Sequence, residues 1–288
     1  MRPKTLTTRI FLDGGNPDET KTLKKELGFL DGQTTNPTLI SKNPQAKVRM
    51  DQGRGFEEEE LLHFYRQVVQ EIAGLIPEGS VSVEVYAQPD TSADRMLEQG
   101  RKMFSWIPNA QIKFPCSYEG FKAAEQAVVQ NLKVNMTLCF RQEQAAAVYA
   151  ATRGAIKGAV YVSPFVGRLD DRGQNGMDLV ENILRMYQKG DGHVEVLAAS
   201  VRTLDHLLYG IHLGCDIITA PFSILREWAD EGLPVPGSDY HYDEGGLEPI
   251  PYTDLGLDRA WHEYDIDHEL TTQGMKKFSA DWDHLLAR

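Results

Sequence analysis

The stretch Ala110-Gln111-Ile112-Lys113-Phe114-Pro115-Cys116 sets one lysine inside an otherwise mainly apolar run, and a helix-like segment, 117–130, follows it at once. An apolar run followed by a helix is the repeating unit of parallel sheets. A lysine near the exit of a buried strand is unfavourable unless it is paired or neutral, because burial disfavours the charged ammonium. A neutral amine is a nucleophile that forms a Schiff base with a carbonyl. The alternative is a lysine that extends from the strand end into solvent.

The same strand–helix unit recurs along most of the chain. Strands are predicted at 8–13, 29–34, 81–87, 110–114, 134–140, 159–166, 194–201 and 217–220, and helices at 17–27, 57–76, 91–104, 118–130, 142–152, 176–188, 204–213 and 222–230. Eight such units predict a closed (β/α)8 TIM barrel of the α/β class, spanning about 8–231 of a single domain, 1–288. An open doubly wound sheet is the alternative, but no GxGxxG sequence follows the first strand.

Two segments lie outside this repeat. The polar, glycine-containing stretch 42–55 is predicted to be a loop, and whether it closes over the barrel mouth stays open. The segment 232–288 is rich in proline, glycine and acidic residues and is predicted to be irregular until a final helix, capped by Thr271 or Thr272. The apolar stripe of that helix is expected to pack across the barrel or on another subunit of a homo-oligomer; it consists of Met275, Phe278, Trp282 and Leu285.

Composition excludes several classes of protein. The 288 residues carry a formal net charge of -12, which argues against nucleic acid or an anionic membrane as the main partner. The three cysteines, Cys116, Cys139 and Cys215, have neither metal-site nor disulfide-framework spacing and are interpreted as small buried side chains. The N-terminus has no apolar signal region, and no apolar run approaches bilayer length. We expect a soluble cytoplasmic protein.

Polar side chains fall at or near the carboxyl ends of the first seven predicted strands, where (β/α)8 barrels place their chemistry. In chain order they are Asp13, Asn36, Glu84, Lys113, Asn135 with Thr137, Ser163 with Arg168, and Ser200 with Arg202. Each alone has an ordinary explanation as a turn residue or a surface ion pair. Their joint placement favours one polar site at the barrel mouth.

Five sequence blocks, in order, resemble the signatures of the transaldolase family. They are DGQTTNPTL at 31–39, IKFP at 112–115 with the helix start after it, NMTL at 135–138, SPFVGR at 163–168 and AASVR at 198–202. The resemblance runs from Asp13 to about Pro221. It departs from the family at Gly14-Gly15, where members often have Thr or Ser after the strand-one aspartate, and in the C-terminal segment.

The resemblance implies a metal-free, cofactor-free class I enzyme of the pentose phosphate pathway. It would move a dihydroxyacetone unit from fructose 6-phosphate or sedoheptulose 7-phosphate to an aldose phosphate. By this likeness Lys113 is the Schiff-base nucleophile, Asp13 the acid/base group, and Glu84 and Thr137 hold the water used in imine chemistry. The substrate-binding residues would be Asn36, Asn135 and Ser163 for hydroxyls, Arg168, Ser200 and Arg202 for phosphate, and Phe165.

The resemblance leaves other functions open. The fructose 6-phosphate aldolase branch shares the lysine and the aspartate but releases free dihydroxyacetone; there a Tyr tends to stand in place of Phe165, and a Gln in place of Glu84. A phenyl ring cannot hydrogen-bond a water as a phenol does, so the sequence favours transfer over release. A modified ketose with another tetrahedral anion is a further alternative. So is a non-catalytic barrel that only binds sugar phosphates, although both Lys113 and Asp13 are present.

Overall fold

Eight parallel strands close into a barrel in chain order. A computed structural model describes residues 1–287 of the chain. The strands are β1 (Arg9–Asp13), β2 (Gly32–Thr34), β3 (Ser80–Glu84), β4 (Ala110–Pro115), β5 (Val134–Cys139), β6 (Val160–Pro164), β7 (Val194–Ala198) and β8 (Ile217–Ala220). Because β8 pairs with β1, the ring has no open edge. The predicted (β/α)8 barrel is confirmed, and the open doubly wound alternative is wrong.

Helices surround this barrel. They are α1 (Pro17–Leu27), α2 (Pro37–Ser41), α3 (Pro44–Asp51), α4 (Glu58–Leu75), α5 (Ala93–Phe104), α6 (Tyr118–Val129), α7 (Gln142–Ala151), α8 (Val166–Asp170), α9 (Gly176–Tyr187), α10 (Leu204–His212), α11 (Phe222–Asp230) and α12 (Glu269–Asp283), with a 3₁₀ turn at Trp261–Glu263. None of the helices within residues 1–287 combines the length and apolarity that a membrane-spanning helix needs.

The loop predicted at 42–55 is wrong, because α3 occupies most of it. Its start is fixed locally: the Asn43 side chain accepts a hydrogen bond from the Gln45 amide at 2.9 Å, and Pro44 stands in the first turn. Only Ala46 of this helix is buried. A helix without an apolar stripe leaves no periodic signal in the sequence, so Asn43 and Pro44 at its start were the features that could have predicted it.

Four strands end earlier than predicted, β5 by one residue, at Cys139, and three by two or three residues, at Glu84, Pro164 and Ala198. After β6 the chain enters the short helix α8 directly, and after β7 Ser200 takes a left-handed conformation with φ 59°. These turns end the strand pairing, which hydrophobicity alone does not reveal. They also set the polar residues of the following loops over the barrel mouth.

The final helix, α12, lies at the barrel mouth, where it packs against α2 and β5. Its predicted apolar stripe, Met275, Phe278, Trp282 and Leu285, is buried. The predicted cap is wrong: the ring of His268 accepts the hydrogen bond from the Leu270 amide at 3.2 Å, so the helix begins at Glu269. Thr271 is buried and donates instead to the Leu138 carbonyl at 2.9 Å, because the helix face it occupies is turned towards β5.

Candidate active site

A cavity of about 210 Å³ opens at the carboxyl ends of the strands, beneath α12. Eight of the eleven predicted site residues line it: Asp13, Asn36, Lys113, Thr137, Ser163, Phe165, Arg168 and Ser200. Glu84, Asn135 and Arg202 lie behind or beside this lining. The joint placement predicted from the strand ends is therefore found in the fold.

Lys113 is buried on β4, with 3% of its surface exposed. Its ammonium lies 2.8 Å from Glu84 Oε2 and donates to the Thr35 carbonyl at 3.2 Å. The strand register causes the pairing, since Glu84 of β3 stands directly beside Lys113 of β4. Burial raises the pKa of Glu84 above its ordinary value, and the charge of Lys113 opposes that shift. The alternative of a lysine extended into solvent is wrong.

Tyr65, on α4, supports this pair from outside the barrel. Its hydroxyl accepts a hydrogen bond from the Glu84 amide at 2.9 Å and bonds the Thr35 hydroxyl at 2.7 Å. The phenol is fully buried. It links Glu84, at the end of β3, to Thr35, which follows β2, and both residues are partners of Lys113. Sequence reasoning missed this role; the only signal was a tyrosine within an apolar stripe, whose hydroxyl requires a partner when buried.

Asp13 ends β1 on another wall of the cavity. Its Oδ1 accepts a hydrogen bond from the Thr34 hydroxyl at 2.7 Å, and that hydroxyl also lies 2.7 Å from Thr219 Oγ1. Burial raises the pKa of Asp13, while the charge of Lys113 and the bond from Thr34 lower it; the net direction is upward. A carboxyl with a raised pKa exchanges protons more readily near neutral pH.

A chain of polar groups crosses the barrel interior below the cavity. Ser163 donates to Asn135 Oδ1 at 2.7 Å, and Asn135 Nδ2 donates to Ser82 Oγ at 3.1 Å. Asn135 is thus held by protein groups on both sides of its amide. Its neighbour on the same strand face, Thr137, has a buried hydroxyl for which residues 1–287 provide no hydrogen-bond partner. A buried hydroxyl of this kind on a cavity wall has a lone pair and a donor available for a ligand.

The two predicted anion-binding arginines differ in their surroundings. Arg168, on α8, lies with its guanidinium 5.4 Å from the ring centre of Phe165 and 5.3 Å from that of Phe278. Arg202 forms a forked pair with Asp171, with Nη2 to Oδ2 at 2.7 Å, and does not line the cavity. Arg168 is therefore the arginine that faces the cavity.

Asn36 has a structural bond in addition to its place on the wall. Its Oδ1 accepts from the Leu39 amide at 2.8 Å and so caps α2, which leaves the amide NH₂ for a ligand. The sequence analysis missed several lining residues, among them Lys42, Lys277 and Phe278. Lys277 and Phe278 come from α12, and no local pattern predicts that this helix meets the barrel mouth.

A barrel that buries a lysine beside a carboxylate, with a second carboxyl on another wall of the same cavity, holds the groups that Schiff-base chemistry on a carbonyl compound requires. No group of three or more His, Cys, Asp or Glu within residues 1–287 is arranged to hold a metal ion. The fold and the site together define a (β/α)8 barrel with a buried lysine and two carboxyl groups near its mouth.

Comparison with known proteins identifies the family. The family model described as Transaldolase/Fructose-6-phosphate aldolase matches residues 10–288, and the chain belongs to this family. A protein named probable transaldolase from Dehalococcoides mccartyi is 37% identical over 274 residues, covering 95% of this chain and 97% of that protein. One of the same name from Thermoplasma volcanium is 38% identical over 230 residues, covering 78% and 92%. Among solved structures, 3-hexulose-6-phosphate synthase from Salmonella typhimurium aligns with a TM-score of 0.47 at 10% identity, covering 78% of this chain and 97% of that one.

Proposed function

We propose that this chain is a transaldolase: it transfers a dihydroxyacetone unit from a ketose phosphate, fructose 6-phosphate or sedoheptulose 7-phosphate, to an aldose phosphate. The observation that carries the proposal is the buried Lys113, 2.8 Å from Glu84, in a cavity whose wall also holds Asp13. The names of the relatives, probable transaldolase, support the same activity.

Imine formation would begin at Lys113. Its amine, once deprotonated, attacks the ketose carbonyl carbon, and the carbonyl oxygen leaves as water while a carbon–nitrogen double bond forms. Glu84 would take the ammonium proton and return it to the departing oxygen, a role that its raised pKa favours. The unpartnered Thr137 hydroxyl would hold the water that is released here and is consumed again in the final hydrolysis.

Carbon–carbon cleavage would depend on Asp13. Its carboxylate accepts the proton of the C4 hydroxyl, the C3–C4 bond breaks, and the electron pair moves into the iminium to leave an enamine. The aldose product departs, and the enamine attacks the carbonyl carbon of the acceptor while Asp13 returns the proton to the new hydroxyl. Hydrolysis of the imine then releases the new ketose and restores Lys113.

The remaining predicted residues would bind the substrate. Asn36 and Ser163 reach the cavity and would bind hydroxyls of the dihydroxyacetone part, with Asn135 behind Ser163. Arg168 and Ser200 would bind the phosphate at the opposite end, because a guanidinium offers forked donors to a tetrahedral anion. Arg202 would join them on leaving Asp171.

Borohydride trapping tests the proposal. The protein is incubated with fructose 6-phosphate, reduced, digested and mapped by mass. We expect a reduced dihydroxyacetone adduct on Lys113, absent in Lys113→Ala and retained in Lys42→Ala, which removes another lysine of the same cavity. An adduct of the intact hexose phosphate would mean binding without cleavage. No adduct with any ketose would support the non-catalytic barrel instead.

The second candidate is an aldolase that releases free dihydroxyacetone. The Phe165 ring lines the cavity and cannot hydrogen-bond a water, which favours survival of the enamine until an acceptor arrives. We therefore expect weak release of dihydroxyacetone from fructose 6-phosphate alone and much faster turnover when an aldose phosphate is added. Equal rates with and without the acceptor would make the chain an aldolase. A ketose with another terminal anion is tested by the same assay with that donor.

A further inference from the structure

Helix α12 places a cation at the rim of the cavity. Lys277 and Phe278 both line it, and the ring of Phe278 is one of the two rings beside the Arg168 guanidinium. Lys277 therefore stands on the same side of the cavity as Arg168. Lys42, the other lysine of the cavity lining, lies at the end of α2, near Asp13 and the start of α1.

The ammonium of Lys277 is held at this rim by a weak pair. It contacts Asp281 one turn further along α12, and the Lys277 side chain is 59% exposed. Asp281 is more buried and is fixed to α2, because its other carboxylate oxygen accepts a hydrogen bond from the Thr38 hydroxyl. An exposed ion pair between residues four apart contributes little, so an incoming anion with several oxygens can replace the carboxylate.

Asp281 is also close enough to Arg168 for its charge to act on that guanidinium. The carboxylate thus lies near both cations, Lys277 and Arg168, at the place where a terminal anion of a bound sugar would enter. Lys277 and Arg168 can bind such an anion in place of the Asp281 carboxylate without a change in the backbone.

We propose that Lys277 binds the terminal phosphate of the sugar together with Arg168, so that the C-terminal helix selects phosphorylated over neutral substrates. This inference rests on the proposed function, which supplies the sugar phosphate. In the free protein the Asp281 carboxylate pairs with the Lys277 ammonium, and it therefore competes with the anion for Lys277. The helix is therefore a specificity element of the site.

Direct binding of inorganic phosphate provides a test that needs no catalysis. Calorimetric titration should show about tenfold weaker binding in Lys277→Ala, the size expected for the loss of one partly solvated charged contact. Lys277→Arg should retain most of the affinity, and Asp281→Asn, which removes the competing charge, should increase it. Lys276→Ala is the matched control, because Lys276 is exposed on the same helix outside the cavity lining.

Acceptor kinetics give the second readout. With fructose 6-phosphate as donor, Lys277→Ala should lower kcat/KM about tenfold for erythrose 4-phosphate, mainly through KM. The value for neutral erythrose should stay within about twofold of wild type. Equal losses with both acceptors, or unchanged phosphate affinity, would overturn the assignment of Lys277. Normal phosphate binding that depends on Lys277, without an adduct on Lys113, would overturn only the proposed transaldolase activity.

Discussion

The Tyr65 hydroxyl joins the two partners of Lys113, since it contacts both the Glu84 amide and the Thr35 hydroxyl. Its removal leaves the buried Glu84 N–H without an acceptor. A lost partner of this kind costs about 1–3 kcal/mol, and small displacements of catalytic groups slow reactions by up to about 100-fold.

We therefore expect Tyr65→Phe to reduce the free energy of unfolding by about 1–3 kcal/mol and to slow trapping of the Lys113 adduct about tenfold. Urea unfolding and timed borohydride quenching measure the two effects. Tyr187→Phe is the control, because that hydroxyl is buried and donates to the Ala145 carbonyl at 2.7 Å, outside the cavity. It should lose stability without slower trapping. Equal slowing in both variants would mean that Tyr65 acts through stability alone.

The raised pKa of Asp13 makes folding stability depend on pH in a defined direction. Below the ordinary aspartate pKa of about 3.9, folded and unfolded chains both carry the proton, and this group has no net effect on stability. Relative to that low-pH state, the contribution of Asp13 to the free energy of unfolding declines as pH rises towards the raised pKa of the folded chain. The reason is that the folded chain holds the proton more tightly than the unfolded chain does. The carboxylate needed for cleavage is thus unfavourable for folding at neutral pH.

Asp13→Asn should accordingly gain stability relative to wild type as pH rises from about 4 to about 8, while it abolishes carbon–carbon cleavage. Urea unfolding at several pH values measures the difference between the two proteins. In wild type, the acid limb of kcat/KM should lie above the ordinary carboxyl range, since cleavage requires the ionised group. A stability difference that is constant or shrinks with rising pH would contradict the upward shift.

Helix α12 contacts the site through a glycine. A Cβ added at Gly274 would lie 2.5 Å from Leu138 Cδ2 and 2.8 Å from Arg168 Nη1. Leu138 is buried and has φ 59°, within a register shift of β5 that carries the adjacent Thr137. Because Gly274 has no side chain, α12 can pack directly against Leu138, at the irregularity of β5, and against Arg168.

Gly274→Ala should displace Arg168, raise KM for phosphorylated sugars several-fold and cost about 1–3 kcal/mol of stability, the usual range for overpacking. Gly74→Ala on α4 is the matched control, because nothing lies within 4 Å of the added Cβ there. That variant should gain up to about 1 kcal/mol from reduced backbone freedom. Thermal unfolding and steady-state kinetics measure both. Unchanged KM in Gly274→Ala would show that Arg168 does not depend on this helix.

Across the whole molecule, the end of the C-terminal segment is tied to the chain around α4. The Phe56 amide donates to the Leu285 carbonyl at 2.8 Å, and the Phe56 carbonyl accepts from the Ala287 amide at 2.8 Å. Trp282 packs on Tyr65 with ring centres 5.8 Å apart. Because α12 buries its apolar stripe in this way, its opening requires loss of core contacts.

Native-state hydrogen exchange should therefore show that buried α12 amides exchange only with global unfolding, within about 1 kcal/mol of the barrel strands. The polar helix α3 buries only Ala46 and is the internal comparison, with amides that should open at a clearly lower free energy. Exchange of α12 at the same low free energy as α3 would make the helix a mobile lid.

The domain boundaries and the oligomeric state remain predictions.

From the sequence, the repeat of strands and helices, the closed barrel and the gathering of Lys113 and other polar side chains at the strand ends could be predicted. These follow from local periodicity, from turn residues and from the rule that parallel strands end at one face. The tertiary structure alone decided that Tyr65 meets Glu84, that Arg202 pairs with Asp171 and that α12 sets Lys277 at the cavity rim. Each of these depends on contacts between segments far apart in the chain, and no local pattern specifies which distant surfaces meet.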